Sequence, residues 1–72
     1  MNSSNNESLI PTIEYHNNLN VKKIIYHKKT EEGMEKVKEE DFYENGQKKT
    51  EISQNRHIAW YEDGRVMYDK RI

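Results

Sequence analysis

Three histidines, many carboxylates, and aromatic rings set among lysines and arginines are the groups of this chain equipped for chemistry. His16, His27 and His57 share no metal-ligand spacing, and there is no HxxxH pair and no cysteine to complete a thiolate site. His57 also follows Arg56, a poor neighbour for a metal ligand. The carboxylates are densest in "KEEDFYE" at 38–44. A general acid–base pair needs a cleft that desolvates one of its members, and a thin fold has none to offer. No glycine-rich phosphate loop, nucleophile elbow or triad order is present. These residues point away from an enzyme and away from any cofactor or metal.

The interleaved stretches are "VKKIIYHKK", "YENGQKK", "NRHIAWYEDGR" and "YDKR". A sheet presenting Tyr and Trp among Lys and Arg can stack bases and hold phosphates. Glu31, Glu32, Glu39, Glu40 and Asp41 interrupt the basic series, so it forms no positive stripe. Trp, Tyr and Arg are equally the usual anchors of protein interfaces. Trp60, Tyr61, Arg65 and Tyr68 are the expected partner-binding residues, with Tyr43, Lys48 and Lys49 as the equivalent patch one repeat earlier.

The chain that must position these groups has 72 residues, 32% hydrophobic and 35% charged. One thin-cored domain is the most that this length allows, and such scaffolds usually need disulfides, a metal or a partner surface. The absence of cysteine removes the first and fits a reducing, cytoplasmic setting. Net charge is −1, with residues 21–72 carrying twelve cations against eleven acids. Neither balance drives generic binding to nucleic acid or membranes. No apolar run approaches the roughly 20 residues of a membrane span, and no secretory signal pattern is evident.

"MNSSNNESL" is too polar to offset its own ordering, so residues 1–10 read as a flexible tail and 11–72 as one domain. Turn signals then recur at 16–20, 31–33, 44–46, 53–55 and 62–64. The segments between them, 12–16, 21–29, 34–43, 47–52, 57–62 and 65–70, are built from the β-branched and aromatic residues that suit strands. The expected fold is mainly β, an antiparallel meander of five to six short strands joined by tight hairpins. The segment 31–42 also carries helical i,i+4 pairs, Glu32–Lys36 and Lys36–Glu40, so an α+β fold with a helix there stands as the alternative.

With Asp63 and Gly64 as a two-residue turn, Tyr61 faces Val66, Trp60 faces Met67 and Ala59 faces Tyr68. The same rule sets Tyr43 against Lys48 and Phe42 against Lys49. A bulged glycine turn would shift these pairs by one. Either way both faces carry aromatics, so the sheet must curl, dimerise or dock.

"FYENGQKKTE" from Phe42 and "WYEDGRVMYD" from Trp60 align with a period of 18, and Gly33 followed by "MEKVKEE" is a weaker third unit. These units resemble the bacterial MORN-variant repeats, whose core is an aromatic pair, Glu, Asn or Asp, Gly and a short Lys/Glu strand. The likeness spans residues 41–72 and, weakly, 33–40; the linker "ISQNRHIAW" lacks the extra glycines usual between such units. The resemblance implies a run of hairpins used as a binding scaffold, and some members are antitoxins. The expected function is therefore a non-enzymatic protein that binds and modulates a larger protein or ribonucleoprotein. An antitoxin, or a phage-type inhibitor of a bacterial defence nuclease such as a CRISPR effector, would fit, with a homodimer as a further route to burial. The alternative is an RNA- or single-strand-binding sheet.

Overall fold

In the computed structural model, which describes residues 9–71, six strands follow one another as a meander: β1 Ile10–Tyr15, β2 Val21–Thr30, β3 Gly33–Phe42, β4 Lys48–Ser53, β5 Arg56–Trp60 and β6 Val66–Arg71. They form one sheet in sequence order, every neighbour antiparallel. The expected tail lies mostly outside the described residues, and β1 starts at Ile10, one residue before the expected domain boundary.

The segment 31–42 is strand, not helix. β3 runs ten residues between β2 and β4, and its main chain pairs with both neighbours along the sheet. Cross-strand partners such as Lys23–Glu39 at 3.5 Å and Lys48–Glu40 at 2.7 Å override the local helical spacing.

Three of the five turns lie at one end of the sheet and are built alike. In the second, the Tyr43 N–H donates to the Gln47 carbonyl and the Gly46 N–H to the Tyr43 carbonyl, closing a three-residue loop. The third repeats this with Tyr61, Arg65 and Gly64, and the first with His16, Asn20 and Leu19. Asn18, Asn45 and Asp63 each accept, through Oδ1, the N–H two residues on. Each loop needs one residue in the left-handed region: Gly46 at φ 92°, Gly64 at φ 94° and, in the first, Leu19 at φ 74°.

The register expected from two-residue turns is corrected accordingly. Trp60 pairs with Val66 and Phe42 with Lys48, while Met67 and Lys49 are the extra residues of bulges; Tyr61 and Tyr43 instead face Arg65 and Gln47 across the turns. Ala59 opposite Tyr68 stands as expected, because the bulge absorbs the shift. The third repeat unit is likewise not the one at Gly33, whose turn lies at the other end. It is 15–23, 27 positions before the unit at 42 where the next spacing is 18, the difference being the longer β2 and β3.

Candidate functional site

Pairing divides the side chains between two faces. On the first, one row crosses all six strands as Ile13, Ile24, Glu40, Glu51, Ile58 and Asp69. Toward the similar turns it is flanked by Tyr15–Val21, Phe42–Lys48 and Trp60–Val66. The second face carries the row Glu14, Lys23, Asp41, Thr50, Ala59 and Tyr68. Among the described residues only Ile58, Ala59 and Glu40 are buried, so no second layer covers either face.

Glu40 centres the first face. Its carboxylate, on a residue 7% exposed, accepts from the Tyr26 hydroxyl and the Lys48 ammonium, each at 2.7 Å, with Lys38 at 3.6 Å. Glu51 shares both lysines, Lys48 at 3.0 Å and Lys38 at 3.8 Å. Burial pushes the Glu40 carboxyl upward, but the hydrogen bonds from Lys48 and Tyr26 and the charges of Lys48 and Lys38 outweigh it, leaving it below the ordinary carboxylate value. The Tyr26 phenol is raised, first by its bond to Glu40 and then by burial. Lys48 rises too, burial being outweighed by Glu40 and Glu51. Every one of these charges is spent inside the sheet. On the second face Glu39 is held low, first by its bond from Lys36, which outweighs burial, and then by Lys23.

The expected binding residues do not form a patch on one face. Lys48 and Trp60 lie on the first face, where the Lys48 ammonium sits 5.8 Å from the indole centroid. Tyr68 lies on the second, its ring edge-on to His57 and its hydroxyl 3.1 Å from His57 Nε2. Tyr43 and Tyr61 belong to the turn end, stacked under Lys49 at 5.6 Å and Arg65 at 5.7 Å. Trp60, Tyr61, Arg65 and Tyr68 are nevertheless together on the β5–β6 hairpin, around an edge instead of across a plane. All six residues of β6 are exposed. Arg65 is tied to Asp63 at 2.8 Å and Arg56 to Asp69 at 2.8 Å.

Sequence reading missed the ladder that locks the three turns together. Asn18 and Asn20 donate side-chain amide protons to the Glu44 carbonyl at 3.0 and 2.7 Å, and Asn45 donates to the Glu62 carbonyl at 3.2 Å. Two positions earlier on each side, His16 Nε2 meets the Phe42 carbonyl at 2.8 Å and the Tyr43 hydroxyl donates to the Trp60 carbonyl at 2.8 Å. His16, Tyr43 and Tyr61 are equivalent, as are Asn18, Asn45 and Asp63. The signal was present in "YHNNLNVKK", which matches "FYENGQKKT" once a glycine is not demanded.

His16 and His57 thus make hydrogen bonds within the sheet, and among the described residues no group of three or more His, Asp or Glu could hold a metal ion. No helix of the described residues is long and apolar enough to cross a membrane. The fold and this edge define a single-sheet antiparallel meander built on a repeated, side-chain-laddered hairpin turn. No family model, curated protein or solved structure matches the chain.

Proposed function

We propose that this chain is a small non-enzymatic binding protein whose last hairpin docks on a larger protein and modulates it, as an antitoxin-like or phage-type inhibitor would. The observation that carries the reading is the β6 edge. β6 has one sheet neighbour, is exposed along its whole length, and is flanked by Trp60 and Val66 on one face and Tyr61 and Tyr68 on the other. A partner strand added to such an edge gains main-chain hydrogen bonds, and a cleft straddling it can grip the aromatics on both sides.

The opposite edge is less receptive. The His16 N–H points inward to Asn20, and the extra residue between β1 and β2 lies on β2, so alternation along β1 turns position 11 outward, where proline supplies no donor. The likeness of 41–72 to MORN-variant repeats points to a scaffold of the same kind. Nucleic-acid binding is less favoured, since Lys38, Lys48 and Arg56 are neutralised by Glu40, Glu51 and Asp69.

The test is capture from a bacterial lysate on the immobilised chain, with and without nuclease, alongside a Tyr68→Ala variant. One dominant protein retained after nuclease and lost with Tyr68→Ala supports the reading. Recovery abolished by nuclease moves the sheet to the nucleic-acid class.

A further inference from the structure

The first turn departs from its two copies at one residue, and the departure is unfavourable for folding. Where the later turns place Gly46 and Gly64 in the left-handed region, the first places Leu19, a branched residue ill suited to that backbone. The same side chain is 80% exposed, so local packing does not repay the strain. Strain retained at a surface position points to a use outside the folded chain.

A groove lies beside it. Asn20 of the first turn, Val21 and Ile24 of β2, and Phe42, Asn45 and Gly46 around the second turn line an open groove of about 410 Å³ on the first face. Its lining has apolar walls, amide rims and no charged side chain. A Cβ at Gly46 would meet nothing within 4 Å, so the second turn leaves its tip bare where the first carries Leu19. Turn one thus presents an apolar knob next to this groove, and Leu19, being so exposed, does not fill the groove of its own chain.

We infer that the occupant is a second copy of this chain, the Leu19 of each molecule seated in the Asn20–Val21–Ile24–Phe42–Asn45–Gly46 groove of the other. A two-fold interface requires one patch to be complementary to itself, and an apolar knob directly beside an apolar hole meets that condition. The uncharged lining lets two identical surfaces meet without bringing like charges together at the groove. A dimer would also cover part of the face on which Ile24 and Phe42 are only half-buried. The contact lies at the β1–β2 corner and is independent of partner docking at β6.

Sedimentation velocity of the wild type, Leu19→Gly and Leu19→Asp, from about 1 to 500 μM, tests this by mass action. Both replacements tolerate left-handed backbone better than leucine, so the fold survives, and Trp60 emission together with far-UV circular dichroism verifies it. The expected result is a concentration-dependent dimer of the wild type, with dimerisation weakened at least tenfold in both variants. A wild type monomeric throughout overturns the inference, as does a dimer whose affinity either variant leaves within twofold. Neither outcome bears on capture through Tyr68, so this proposal and the partner reading can fail separately.

Discussion

Replacing Glu40 with glutamine keeps the shape of the side chain and removes its charge. The carboxylate accepts two short bonds, from Tyr26 and Lys48, and only one of those donors is cationic. A hydrogen bond to a charged group contributes about 1.5–3 kcal/mol, and Lys48, a third exposed and still held by Glu51, places the loss toward the lower part of that range, at about 2 kcal/mol. At roughly 0.05–0.15 kcal/mol per residue the whole fold is worth only about 4–11 kcal/mol, so the variant should be visibly weakened. Urea unfolding followed by Trp60, the one tryptophan, reads this directly. With an m-value of about 1 kcal/mol/M, the midpoint should fall by about 2 M at pH 7.

The pH dependence sharpens the test. Because the Glu40 carboxyl titrates below its unfolded value of about 4.3, its contribution is complete above that pH and is lost as pH falls through the lowered folded value. The gap between wild type and Glu40→Gln should therefore close on acidification. A gap under about 0.5 kcal/mol at pH 7, or one that widens toward acid, would refute the assignment of Glu40 as the charged centre of the sheet.

The remaining expectations follow from the turns and the edge. Leu19→Gly should stabilise the monomer by about 1 kcal/mol, whereas Gly46→Ala should destabilise it by about as much, both read by thermal unfolding at low concentration. Tyr43→Phe should cost about 1 kcal/mol by deleting the bond to the Trp60 carbonyl, while Tyr61→Phe at the open end of the ladder should be near neutral; equal costs would argue that the ladder does not stabilise the sheet. Raising pH through the elevated folded values of Tyr26 and Lys48 should remove stability that is complete below their unfolded values near 10, seen as a falling urea midpoint in the alkaline limb. Trp60→Ala should lower partner capture, and a variant that unfolds instead, by circular dichroism, assigns Trp60 to the sheet interior.

Much of the architecture was legible along the chain because hairpins are local. Asn45–Gly46 and Asp63–Gly64 announce turns by their tolerance of positive φ, and the Ile, Val, Tyr and Trp segments between them announce strands, so the number and antiparallel order of the elements follow from spacing. The resemblance between 42–50 and 60–68 likewise foretold that one hairpin is built twice.

What composition could not decide was register. Two- and three-residue loops around the same glycine differ by one position, and only the cross-strand bonds of Tyr43 to Gln47 and Tyr61 to Arg65 choose the longer loop, carrying Val66 to the Trp60 face and turning Met67 into a bulge. The strand at 33–42 was decided by β2 and β4, which take up its main chain on both sides and set Lys23 beside Glu39 and Lys48 beside Glu40. The oldest of the three turns in chain order was hidden because Leu19 occupies a glycine's place. A residue forced into left-handed backbone by the bonds around it leaves no mark in its own type, so the match of 15–23 to the two units the sequence spells out is recognised only once the turn bonds are seen.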